Sequence, residues 1–122
     1  MSREIANSLS LAGIALILSA GQLLFKLTAT RLPIVSQVSD LRHLLYDPLL
    51  WLALFLYAGA TLLWIYMLQR VSLMHAYPFA ALAFVLVPIG AAAFFGERLS
   101  LGIMVGTAFI VIGICLTVVS AR

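Results

Sequence analysis

Lys26 is the only lysine in this 122-residue chain, and it lies in an apolar run. Gln22 stands one helical turn before it and Ser19 another turn back. Residues three or four apart share a helix face. The three therefore make a polar stripe that can neutralise and hydrogen-bond an anion. Such a stripe is costly against lipid, so it belongs against other helices or at a subunit interface. Two readings of Lys26 stay open. In one, its ammonium and the Gln22 amide hold an anionic group. In the other, the lysine snorkels to the membrane surface and binds nothing. Gln22 lies deeper, which favours binding or a bond between helices.

Other candidates surround this stripe. Glu97 can pair with Lys26 or with Arg98, or meet the amino group of a ligand; the alternative is a solvated helix end. Asp40 and Asp47 read as solvated loop residues. Tyr57, Thr61 and Trp64 fall at helical spacing and form a strip that could line a path for a substrate. The same strip fits aromatic packing, or for Trp64 an interfacial belt. Tyr77, in His75-Ala76-Tyr77-Pro78, joins the substrate-binding candidates. Pro78 and Pro88 leave the carbonyls of Met74 and Phe84 without their helical donors. Freed groups inside a membrane need other partners, which permits a hinge or a rigid kink. His75 has no second ligand at metal-binding spacing, so no metal or cofactor is expected. With no nucleophile–base pair either, the chain reads as a non-enzyme.

The elements that must position these residues are membrane helices. Hydrophobic residues make up 65% of the chain and charged ones 9%, too few charges for a soluble domain. There is no basic run for nucleic acid and no Gly-rich phosphate loop. About 20 apolar residues cross a bilayer core, which gives four spans, about 9–27, 48–68, 72–95 and 99–120, in a single all-α integral membrane domain. The first run lacks a cleavage-site pattern and is read as mature structure. Asn7 or Ser8 could cap the first span, Pro48 suits a first helical turn, and Gly96 can end the third span in a left-handed conformation. Between the first two spans, Ile34, Val38, Leu41 and Leu45 recur at helical spacing, with Gln37, Asp40 and His43 elsewhere on the wheel. This reads as an interfacial amphipathic helix over about 34–45, the alternative being a loop with chance periodicity.

Four spans put both termini on one side, with Arg3, Arg70 and Arg122. Lys26, Arg31, Arg42 and Arg98 fall on the other. Three cations against four give almost no orientation signal. Either the chain inserts both ways, a partner fixes it, or one loop dominates. In the last span Gly102 and Gly106 form a G-x-x-x-G, extended by Ile110 and Gly113. Small residues let membrane helices approach closely, so this span reads as a dimerisation helix, with packing inside the chain as the alternative. Cys115 cannot form an intrachain disulfide and says nothing about redox compartment.

The order of short motifs resembles the small multidrug resistance superfamily of the drug/metabolite transporter group. More closely it resembles the EamA-like four-helix subunits, which include the paired subunits of the flippase for 4-amino-4-deoxy-arabinose linked to undecaprenyl phosphate. The resemblance rests on Ala20-Gly21-Gln22 with Lys26, on Leu63-Trp64, and on Leu68-Gln69-Arg70-Val71. It continues through Ala76-Tyr77-Pro78 and Gly96-Glu97-Arg98-Leu99-Ser100 to Gly106, Ile110, Gly113 and Ile114. Drug-exporting members carry a membrane-embedded glutamate whose position here is Leu18. Exchanging a proton for a cationic drug needs such a carboxylate. The resemblance therefore implies a flippase subunit for a polyprenyl-phosphate-linked aminosugar in the bacterial inner membrane. It would work as a homodimer or with a related four-helix subunit. A small-molecule or cation exporter and a non-transporting partner subunit are the other classes considered.

Overall fold

The computed structural model describes residues 2–120, so the expectation for Arg122 lies outside the described residues. It contains α1 (Ser2–Arg31), a short 3-10 turn (Val38–Asp40), α2 (Leu41–Leu45), α3 (Pro48–Leu68), α4 (Leu73–Ala80), α5 (Ala83–Phe95) and α6 (Leu101–Ser120). Among the described residues there is no strand. Four helical stretches are long and apolar enough to span a membrane: α1, α3, α4 with α5, and α6. The protein is an all-α, multi-pass membrane bundle.

α1 begins at Ser2, so Asn7 and Ser8 are internal residues and cap nothing. Nothing in Ser2-Arg3-Glu4-Ile5 breaks a helix, and Glu4 in the first turn suits the positive helix end. The helix thus starts well before its apolar part. Its 30 residues extend about 45 Å, against a hydrocarbon core of about 30 Å, so both ends reach beyond the apolar layer. Pro33 stops it, because a residue before proline is pushed out of helical geometry.

The amphipathic segment is shorter than its periodicity predicts. Ile34 lies outside any helix and is 92% exposed; helical structure starts only at Val38. The cause is Asp40, whose carboxylate accepts the backbone N–H groups of Ser36 and Gln37, each at 3.0 Å, and the Ser36 hydroxyl at 3.2 Å. Those amides, held chiefly by the Ser36 bond and then by Gln37, keep the Asp40 carboxyl below the usual carboxylate range. Asp40 is thus a structural cap. The segment is tied to α3 by the Trp51 indole N–H, which donates to the Leu45 carbonyl at 2.7 Å.

The start of α3 is set locally. The Asp47 carboxylate accepts from the Leu49 N–H at 2.7 Å, and Pro48 occupies the first turn. α1 and α3 then pack along a seam of recurring positions. Ala53, Ala60 and Met67 of α3 are buried seven residues apart, as are Ile14, Gly21 and Thr28 of α1. A seven-residue repeat keeps one helix edge facing its neighbour, and alanine lets the backbones close up. Leu11 completes this core, and Leu18 packs against it.

The third span is not one helix. α4 and α5 are separated at Ala81–Leu82. There the N–H groups of Leu82, Phe84 and Val85 reach back only three residues, to Phe79, Ala81 and Leu82. The Pro88 ring would crowd the Phe84 carbonyl, and the tightened turn leads into that region. Gly96 ends α5 with φ 65°, in the left-handed region where a side chain is unfavourable. Ser100 then opens α6, its hydroxyl accepting from the Ile103 N–H at 3.3 Å. α6 has no buried residue.

Candidate functional site

At the end of α1 that carries Lys26, three elements converge. Gln22 and Lys26 come from α1, Tyr57 from α3, and Glu97 from the connection after α5. The Lys26 ammonium lies 3.0 Å from a Glu97 carboxylate oxygen, with both side chains 49% exposed. It is the one ion pair among the described residues. One turn deeper, the Gln22 amide donates to the Tyr57 hydroxyl. Tyr57 is nine residues into α3, about 14 Å along the helix from its start and close to mid-membrane.

The Tyr57 ring is held there by α1. A Cβ on Gly21 would come within 2.5 Å of it, so only glycine leaves room for the ring at that point. The Phe25 ring lies one turn further on, 5.3 Å from Tyr57 between centroids. Gly21, Gln22 and Phe25 together fix both the plane of the ring and the direction of its hydroxyl. Lys26 and Glu97 form a charged rim, and Gln22 with Tyr57 forms a neutral hydrogen-bonding step below it. Gln22 stays exposed in the single chain. An exposed polar pair at this depth calls for a partner helix or a polar ligand against it.

The remaining candidates are not gathered here. Ser19 is buried, and its hydroxyl donates to the Ala15 carbonyl at 2.7 Å, so the stripe read from spacing splits into a buried serine and two accessible groups. Thr61 is exposed, with its hydroxyl bonded back to the Tyr57 carbonyl at 2.8 Å. Trp64 packs edge-on against Tyr77 of α4, centroids 6.4 Å apart. That pair stands seven residues beyond Tyr57, about 10 Å along the helix towards the other membrane side. The predicted strip is therefore two separate aromatic contacts. Pro78 is buried in α4 and Pro88 lies in α5; the interruption falls between them. Gly102, Gly106, Ile110 and Gly113 lie on α6, where a Cβ on Gly106 or Gly113 would meet nothing within 4 Å.

The sequence gives no sign of two further features. Gly90 lies against Leu23, where an added Cβ would come within 2.7 Å of a methyl group. Thr28 is buried, and its hydroxyl has no hydrogen-bond partner among the described residues. A lone glycine in an apolar run and a threonine at a helix end carry no local signal for either role.

The model of the EamA-like transporter family matches residues 2–119. The chain belongs to this family. Its relatives include proteins named probable 4-amino-4-deoxy-L-arabinose-phosphoundecaprenol flippase subunit ArnE. The one from Pseudomonas aeruginosa strain LESB58 is 36% identical over 110 residues, 81% of this chain and 96% of the relative. The one from Sodalis glossinidius is 39% identical over 103 residues, 83% and 86% of the two chains. The one from Aeromonas salmonicida is 41% identical over 69 residues, 57% of this chain; the match spans 60% of that relative's length. No solved structure matches the chain. An EamA-like protein of this size has little besides its helices with which to handle a substrate. That places weight on the few polar groups described above.

Proposed function

We propose that this chain is a subunit of a flippase that carries a polyprenyl-phosphate-linked aminosugar across the bacterial inner membrane. The Lys26–Glu97 ion pair above the Gln22–Tyr57 hydrogen bond is the observation that carries this reading. An aminosugar phosphate has one anionic and one cationic end. Lys26 and Glu97 offer one charge of each sign at adjacent points. The phosphate replaces Glu97 on Lys26, and the freed carboxylate takes the sugar ammonium. Exchanging one ion pair for two limits the net charge that must be desolvated. Gln22 and Tyr57 then receive sugar hydroxyls one turn deeper, while the polyprenyl tail stays in lipid.

Leu18 supports the same reading. It packs in the α1–α3 core, and an aliphatic side chain there can hold neither a proton nor a cationic drug. This reading has no enzymatic step. The working unit is a pair of four-helix subunits, a second copy or a related chain, joined through α6. The bare surface of α6 and the open space beside Gly106 and Gly113 support that pairing. The interruption at Ala81–Leu82 serves as the bending point between inward-open and outward-open forms.

The test is translocation of a fluorescent lipid-linked aminosugar in vesicles holding the chain with its pairing subunit. Lys26→Ala and Gln22→Leu should slow transport by one to two orders of magnitude with intact assembly, while Lys26→Arg keeps part of it. Two unit charges about 4 Å apart interact by about 4 kcal/mol at an intermediate dielectric, and desolvation cancels much of it. Wild-type transport by Lys26→Ala and Gln22→Leu would leave snorkelling as the role of Lys26. Proton-dependent resistance to quaternary ammonium compounds would instead favour a cation exporter.

A further inference from the structure

The membrane side opposite Lys26 carries a second cationic feature that the transport reading does not use. Arg3, Ala6 and Asn7 of α1, together with Arg70 just beyond α3, line a cleft of about 610 Å³. We propose that this cleft is a binding site for a phosphate group, with the head group of an anionic lipid as its occupant.

Charge, donor geometry and depth all lead there. Arg3 and Arg70 bring two positive charges to one cleft, and among the described residues no carboxylate pairs with either. Arg70 is positioned rather than free: its guanidinium lies 4.2 Å over the Tyr66 ring. Stacking occupies the flat face of a guanidinium and leaves its in-plane N–H donors available. Those donors match two oxygens of a phosphate, which a lysine ammonium does not do as well. Asn7 is half-buried at the wall and can contribute an amide N–H. Ala6 adds only a methyl group to the lining and leaves the space between the two arginines clear of a large side chain.

Depth selects the source of the phosphate. The apolar part of α1 begins near Leu9, so Arg3 lies about 9 Å further out along the helix, at head-group level. Anionic lipids concentrate at that level and are attracted by basic residues there. The volume is in the range of ligand pockets and exceeds what one phosphate needs, leaving room for the glycerol of a lipid head group. This inference is independent of the proposed flippase activity, because it uses neither Lys26, Glu97, Gln22 nor Tyr57.

The test is native mass spectrometry of the full chain in detergent, titrated with phosphatidylglycerol and, separately, with phosphatidylcholine. Arg3→Gln with Arg70→Gln should weaken phosphatidylglycerol binding about thirtyfold, and each single change about fivefold. The single variants keep the measurement usable if the double variant does not fold. Arg42→Gln removes the same charge from the interfacial segment at the other side and should leave binding unchanged. Phosphatidylcholine should bind weakly and equally to all variants. A millimolar inorganic phosphate arm separates the sources. Failure to compete supports a lipid head group, and full competition shows that the phosphate alone is recognised, which upholds the site but changes its ligand. Wild-type phosphatidylglycerol affinity in both single variants overturns the proposal, as does an equal loss in Arg42→Gln.

Discussion

The α1–α3 seam and the surface of α6 are made from nearly the same residues, yet one is the core of the chain and the other is bare. Both helices are apolar and both carry glycines. In the seam, Ala53, Ala60, Gly21 and Thr28 recur at seven-residue intervals, and a tyrosine ring closes over one of the glycines. In α6, Gly106 and Gly113 also stand seven apart, with nothing against them. In lipid, apolarity does not draw helices together, because the acyl chains are as apolar as leucine. Close packing must be specified by fitted shapes and by polar groups that find partners. The seam has both, in Gly21 against Tyr57 and in Gln22 bonded to Tyr57. α6 has the glycines alone within the single chain, and its fitted surface has to come from another subunit.

The largest effect that separates the two regions should come from Gly21→Leu. Its side chain would meet the Tyr57 ring, which Phe25 and Gln22 prevent from moving aside. Overpacking of this kind typically costs about 1–3 kcal/mol. Unfolding of the reconstituted chain by denaturant should show a loss at the upper end of that range. Wild-type stability would mean that the seam is looser than described.

Gly106→Leu should do the opposite. The stability of the single chain should not change, since open space lies beside that position. Subunit pairing should weaken by about 1–2 kcal/mol, read by crosslinking yield across a dilution series in detergent. If pairing is untouched while the chain itself unfolds more easily, α6 packs inside its own chain and is no subunit interface.

A smaller effect concerns how α6 is held. Glu97 ties its leading connection to α1 through Lys26. Because both side chains are half exposed, water and salt screen the pair, and Glu97→Gln should cost less than about 1 kcal/mol. Raising the salt concentration should reduce wild-type stability towards that of the variant. A loss of several kcal/mol would place the pair in a far drier setting.

The smallest effect lies outside both regions and serves as their control. The folded-state pKa of Asp40 is lowered by its bonds to Ser36 and Gln37. Its contribution is therefore present at neutral pH and is lost as pH falls through the folded value, which lies under the ordinary aspartate range. Hydrogen exchange should show the Ser36 and Gln37 amides losing protection in acid while the seam amides keep theirs. Protection of Ser36 and Gln37 that persists in Asp40→Asn would deny the carboxylate its capping role.

Much of this protein was determined by its sequence alone. Four apolar runs dictate four spans, because a backbone in lipid has to satisfy its own hydrogen bonds and a helix does so locally. Pro48 and Gly96 mark a helix start and a helix end for equally local reasons. Asp40 is an equally local cap that a solvated-loop reading passes over: its carboxylate reaches back only three and four residues, to the amides of Gln37 and Ser36. Only the tertiary structure decided which glycine is needed for close packing, that Ser19 is buried while Gln22 and Lys26 stay accessible, and that Trp64 keeps company with Tyr77 instead of Tyr57. Periodicity assigns a residue to a face of its own helix. It does not say which neighbour meets that face, or at what depth, because those follow from how the spans pack together.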